Sequence, residues 1–220
     1  DKTYTVMPDN WLDELYGSGF RQEYNVSVAA ATDKANFYAS LGYLDNKGII
    51  DGSHQDRLTA RLRADYQAKK WLKVGGNFSF THFDWRNGNS PSDEGDSDGG
   101  NIFAQVVRYA PIYPLFMRDG EGNIIIDQYG YQLYDNGDGM NAGSVRPSAA
   151  QSNPLQDIIL NKYRSEGNAF SVNGYADFFL YKGLKLTING AADLDETRHT
   201  SMMNPYYGQF ATSGGSISKS

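Results

Sequence analysis

Six stretches of the chain alternate apolar and polar residues with a period of two, the pattern of a strand with two unlike faces. The clearest covers 57–66. Leu58, Ala60, Leu62, Ala64 and Tyr66 share one face, and Arg57, Thr59, Arg61, Arg63 and Asp65 share the other. Over 72–81, Leu72, Val74, Gly76, Phe78 and Phe80 oppose Lys73, Gly75, Asn77, Ser79 and Thr81. The same alternation marks 24–30, 37–43, 170–180 and 184–194. Each stretch predicts a strand of roughly 10 residues, enough to cross a bilayer at a tilt and about twice the mean length in soluble proteins.

The connections alternate as well. Thr32-Asp33, Lys69-Lys70 and Lys182-Gly183 are short turns after the first, third and fifth strands. Long segments follow the second, the fourth (84–165) and the sixth. Short turns on one side and long loops on the other are the mark of an outer-membrane barrel, with the short side periplasmic and the long side outside. A soluble sandwich with one solvated face also alternates. Strand length, loop asymmetry and aromatic residues near strand ends favour the membrane. The expected fold class is all-β: an antiparallel transmembrane β-barrel segment of about six strands with long extracellular loops. A charge facing lipid at the midplane costs roughly 2–4 kcal/mol, so Arg57, Arg61 and Arg63 are expected to line the lumen. A six-stranded sheet has two open edges, which hydrocarbon does not tolerate, so the stretch is expected to be a piece of a larger wall.

The domain reading is a single barrel domain over 1–220. It divides into four strands over 21–83, a loop with a short helix over 84–165, two strands over 166–195, and the start of another loop over 196–220. The tail from Gly214 to Ser220 reads as unfinished loop, and the opening Asp-Lys-Thr-Tyr as the middle of a longer polypeptide.

Composition agrees. Aromatic residues make up 14% of the 220, with 16 Tyr and 24 Gly, yet mean hydropathy is negative and no run of 18 apolar residues occurs. That excludes a membrane-spanning helix and leaves a barrel open. A net charge of −6 without a Lys/Arg block argues against nucleic acid. The absence of cysteine removes disulfides, thiol catalysis and Cys-ligated metals.

The 84–165 loop holds the candidate sites. Asp93, Glu94, Asp96 and Asp98 form an acidic run that offers oxygen ligands to Ca2+. The spacing is not that of an EF-hand and lacks its terminal Glu, so no cofactor is expected and a solvated loop tip is the favoured reading. Ile102, Val106 and Tyr109 lie on one helical face, stopped by Pro111 and Pro114. Tyr109, Tyr113 and Phe116 are candidates for contact with a substrate or partner, with packing of the loop as the favoured alternative. Asp119-Gly120-Glu121-Gly122-Asn123 and Asp135-Asn136-Gly137-Asp138-Gly139 are turns. His54, His82 and His199 lie on three separate segments, and no nucleophile or paired-carboxylate motif appears, so catalysis is not expected.

Several runs resemble the SusC/RagA-type TonB-linked outer-membrane proteins of Bacteroidetes. Asn10-Trp11-Leu12-Asp13-Glu14-Leu15-Tyr16, then Gly19-Phe20 and 24–28, is similar to the family's entry into an early strand. The stretch from Thr32 through Phe37-Tyr38-Ala39-Ser40-Leu41-Gly42-Tyr43 to Gly48-Ile49-Ile50 is similar to its hairpin. Trp71-Leu72-Lys73-Val74-Gly75 resembles a turn, and Tyr109-Ala110-Pro111 through Tyr113-Pro114 to Asp119-Gly120 a loop, of the same family. The resemblance implies a plugged barrel of about 22 strands. It implies a SusD-type surface lipoprotein as partner, TonB engaged through a region outside these residues, and outer-membrane lipid around the wall. It further implies active uptake of oligosaccharides, with peptides as the alternative cargo, and a non-transporting binding or adhesion barrel stands as the runner-up.

Overall fold

In a computed structural model of the chain, residues 7–87, 106–107, 109–147, 152–208 and 211–220 are described. One sheet dominates. Its strands are β1 (Phe20–Ala31), β2 (Ala35–Lys47), β3 (His54–Lys69), β4 (Leu72–Asn87), β5 (Lys162–Tyr181), β6 (Leu184–Met203) and β7 (Ser216–Lys219). They are ordered as in the sequence, and each is antiparallel to the next.

All six expected strands are present, and most run further than the alternation indicated. β5 and β6 reach 20 residues each. The extra length lies at the long-loop end, where the outward residues turn from apolar to charged and hydrophobic periodicity stops marking the strand. β7 corrects the reading of the tail as loop. Ser216, Ile217, Ser218 and Lys219 pair with Met203, Met202, Ser201 and Thr200. Four residues are too few to show a period.

The short turns are locally determined. Thr32 Oγ1 accepts hydrogen bonds from the Lys34 and Ala35 amides and closes the β1–β2 turn. Gly183 has φ +82°, the left-handed backbone that the β5–β6 turn requires.

The hydrophobic core lies at the long-loop end and is built by the loop together with the N-terminal segment. Helix α1 (Trp11–Leu15) and helix α2 (Pro154–Leu160) bracket it. Asn10 caps α1 by accepting from the Leu12 amide, and Asn153 caps α2 by accepting from Leu155 and Gln156. Trp11, Leu15, Val106, Tyr109, Leu115, Phe116, Tyr134, Leu155 and Ile158 pack into one cluster.

At its centre is an eight-residue repeat that sets Met117, Ile125 and Leu133 in equivalent places, and Asp119, Asp127 and Asp135 likewise. The Met117 amide donates to Leu133, Leu133 to Ile125, and Ile125 back to Met117, at 2.8–2.9 Å. Two short hairpins and the bridge between Phe116 and Tyr134 thereby close a triangle. The aspartate opening each turn folds back onto its own backbone. Asp119 accepts from Glu121 and Asn123, Asp127 from Tyr129 and Tyr131, and Asp135 from Gly137. Gly122 and Gly130 fall at the same place in successive repeats, with φ +90° and +83°.

Candidate functional site

The register brings whole rows of side chains together across the sheet. One row reads Val26, Leu41, Ala60, Phe80, Phe170, Leu194, and the next reads Val28, Ala39, Leu62, Phe78, Val172, Ala192. These rows belong to the face assigned to lipid, and no described residue covers them. Val26 is 72% exposed, Leu41 60% and Ile188 57%. Exposed apolar side chains over several contiguous rows mark a surface made for a non-aqueous neighbour.

The opposite face is polar and internally bonded. Asp65, only 7% exposed, accepts from the Tyr175 hydroxyl at 2.5 Å and from Arg63 Nε at 3.3 Å. Asn77 donates to Asn173, and Asp177 accepts from Thr187 and Lys185. Gly75 makes this network fit. A Cβ there would stand 2.5 Å from both Asp65 Oδ1 and Tyr175 Cε1. Arg57, Arg61 and Arg63 all lie on this polar face, alternating with Leu58, Ala60 and Leu62. Arg63 has its acidic partner on its own strand.

Towards the long loops the outward face becomes charged. Gln22, Asp45, Asp56, Asp84, Glu166 and Arg198 form one row, and Phe20, Lys47, His54, Arg86, Arg164 and Thr200 the next. Asp84 is the hub. Arg164 grips it with Nε at 2.9 Å and a terminal nitrogen at 2.8 Å, and Arg86 donates to it at 3.1 Å. Arg164 also pairs with Glu166, which pairs with Arg198. The apolar boundary is stepped. Tyr43 and Leu58 are still apolar in the row where β4, β5 and β6 carry His82, Asn168 and Glu196. The β5–β6 turn lies correspondingly further down the sheet than the β1–β2 turn. A boundary and turns that shift together are what tilted strands in a level membrane require.

Two features of this rim escaped the sequence reading. Asp45, His54 and Asp56 each bring one ligand atom within 4.8 Å of the others, a donor set suited to a divalent metal. His54 Nε2 lies 3.0 Å from Asp56 and 3.7 Å from Asp45. The signal was the β2–β3 register, which sets Asp45 opposite Asp56. The second is a cleft of about 680 Å3 between the sheet and α2, lined by Lys47, Asp51, Arg86, Lys162 and Arg164 beside Ile158 and Ile159.

Of the aromatic candidates of the long loop, Tyr109 and Phe116 are buried in its interior. Tyr109 is 6% exposed and Phe116 8%. Tyr109 packs edge-on to Trp11 at 4.8 Å and under the Arg146 guanidinium at 4.5 Å. Phe116 packs on Tyr134 at 5.1 Å. Tyr113 is half-buried, and its carbonyl accepts from the Trp11 indole. The physical reason is latching by the N-terminal segment. Asp9 accepts from the Leu115 and Phe116 amides and pairs with Arg118 at 2.6 Å, which closes the loop over these rings. Asp93, Asp96 and Asp98, together with Ile102 of the expected helix, lie outside the described residues.

The electrostatics of the loop are set by burial and by the turns. Burial pushes the Asp157 carboxyl of α2 up to about 7, and a hydrogen bond from Asn161 only partly offsets it. Tyr131 is pushed up to about 12, first by burial. Asp119 is held below the usual carboxylate range by the Asn123 amide and side chain, and Asp127 by the Tyr207 hydroxyl and then the Tyr131 amide.

No family model matches the chain. Among curated proteins, TonB-dependent receptor P26 of Formosa agariphila is 25% identical over 205 residues, covering 91% of this chain and 18% of that protein. TonB-dependent receptor P39 of the same organism is 30% identical over 117 residues. TonB-dependent receptor SusC of Bacteroides thetaiotaomicron is 26% identical over 205 residues, or 90% of this chain and 19% of that protein. Among solved structures, the RagAB peptide importer in its closed-closed state superposes with a TM-score of 0.66 at 25% identity, over 94% of this chain and 21% of that one. A second RagAB peptide transporter structure gives a TM-score of 0.65 at 26% identity. The chain thus spans about a fifth of the length of P26, SusC and the RagAB chains. In sequence and in fold, the chain matches TonB-dependent outer-membrane receptors of the SusC/RagA type.

Proposed function

We propose that the chain forms part of the barrel wall and outer rim of an active importer of nutrients across the outer membrane. The observation that carries this reading is the two-faced sheet, with a bare apolar band outside and a bonded polar face inside. In this reading Arg57, Arg61 and Arg63 line the lumen. The unpaired edges of the sheet join neighbouring strands of the same barrel, because open edges do not survive in hydrocarbon. TonB draws on a plug outside these residues, and a SusD-type surface lipoprotein covers the rim built by α1, α2 and the triangular hairpins. Oligosaccharides are the leading cargo. Peptides are the second reading, favoured by the likeness to the RagAB peptide importer.

The test is energy-dependent uptake by cells producing the full-length protein, comparing labelled oligosaccharides with labelled oligopeptides. Uptake of one class that stops when TonB is deleted supports the importer. Equal uptake in cells lacking the protein overturns it and favours a binding barrel.

A further inference from the structure

We infer that the cationic cleft under α2 is a binding site for a phosphate-bearing glycolipid of the outer leaflet. This rests on the outer-membrane reading above. Four cations, Lys47, Arg86, Lys162 and Arg164, line the cleft with the carboxylate Asp51, while Asp84 and Glu166 pair with the two arginines. Lys47, Arg86 and Arg164 belong to rows that continue the lipid-facing side of the sheet, and Lys162 shares the parity of Arg164. The four cations therefore stand on the lipid-facing side of the sheet and not on its polar face.

The guanidinium groups are held in place for an anion. Asp84 takes two nitrogens of Arg164 and one of Arg86, which fixes both planes and leaves further N–H groups to donate. The Arg86 and Arg164 side chains remain 52% and 44% exposed. Among the described residues Lys47 and Lys162 make no ion pair, so their charge is available. Ile158 and Ile159 supply an apolar wall. Basic pockets beside an apolar surface are the usual seat of lipid headgroups.

Height selects the class of lipid. Lys47 lies four residues beyond Tyr43, and Arg86 six beyond Phe80. At ~3.3 Å per residue and a tilt of ~40°, that places them roughly 10–15 Å above the last outward apolar residue of their own strands, while Phe20 carries the apolar edge higher on β1. The headgroup zone of an ordinary bilayer is only about 5–7 Å deep on each side. A glycerophospholipid phosphate falls short of the cleft, whereas a phosphate carried on an extended sugar headgroup reaches it.

The test uses the full-length protein purified from its own outer membrane. Native mass spectrometry reads retained glycolipid, before and after enzymatic dephosphorylation of that lipid. The wild type should retain the phosphorylated form, and the Lys47→Gln/Arg86→Gln/Lys162→Gln protein should retain it roughly tenfold more weakly, or weaker still. A charge-preserving Lys47→Arg/Arg86→Lys/Lys162→Arg protein should keep most of the retention, which separates lost charge from lost folding. Unchanged retention in the Gln variant overturns the site. So does equal competition by phosphatidylglycerol, or displacement by excess inorganic phosphate, which would mark a solute anion site. Uptake measured on the same proteins reports the importer reading separately, because a barrel that imports nothing still shows or lacks the phosphate-dependent lipid.

Discussion

Asn153 joins helix α2 to two other segments of the loop. It is fully buried, caps α2 through its Oδ1, and donates through Nδ2 to the carbonyls of Leu115 and Asp135 at 3.1 and 2.9 Å. Asn153→Ala removes the cap and one donor from each of two buried carbonyls, of which Leu115 keeps the Asp135 amide. We expect a loss of about 2–4 kcal/mol in local stability, read as hydrogen-exchange protection over 115–160. Asp157 works in the opposite sense. Its folded carboxyl titrates near 7, above the ordinary carboxylate value in the unfolded chain. Between those two values the folded loop holds a proton that the unfolded loop has released, so loop stability falls as pH rises through that window and levels off above it. Asp157→Asn should flatten this dependence and stabilise the loop at neutral pH. Protease resistance of the loop at pH 5 and pH 8 in both proteins checks it, and an unaltered pH profile in the variant would refute it.

At the scale of the strand, the two faces make opposite demands on neighbouring positions. Leu62→Arg places a charge in the middle of the apolar band and should cost roughly 2–4 kcal/mol, with loss of the heat-modifiable barrel form on electrophoresis. Arg61→Gln, one residue away on the polar face, should leave assembly intact. Gly75→Val should fail like Leu62→Arg for a different reason, since its Cβ collides with the Asp65–Tyr175 bond. Much of this scale was legible in the sequence, because a period of two states directly which residues share a face. The six strands, their order and the shared polar face of the three arginines followed from it. The strand ends, β7 and the charged rim were not legible. There the outward residues are polar too, and alternation carries no contrast. The burial of Tyr109 and Phe116 depended on a contact from Asp9 more than a hundred residues away in sequence. One missed feature was legible: the recurrence of aspartate every eight residues from Asp119 to Asp135, which the individual turns concealed.

For the whole molecule, the sheet assigns a direction across the membrane. These 220 residues hold no cysteine, so introduced ones report cleanly once any elsewhere in the full-length protein are replaced. Glu121→Cys, at an exposed hairpin tip, should react in intact cells with a membrane-impermeant maleimide, and Lys182→Cys in the short β5–β6 turn should react only after the outer membrane is broken. The reverse pattern would invert the topology. The triangular hairpins carry a consequence of another kind. Two sides of the triangle are eight-residue units, and the third is the Met117–Leu133 hydrogen bond that closes the ring. Gain or loss of one or two residues breaks the cycle of amide donors, whereas gain or loss of a whole unit changes the number of sides. Length variation at this rim should therefore come in steps of eight. Evolution would then reshape the mouth by copying a small module, without drifting loop length residue by residue.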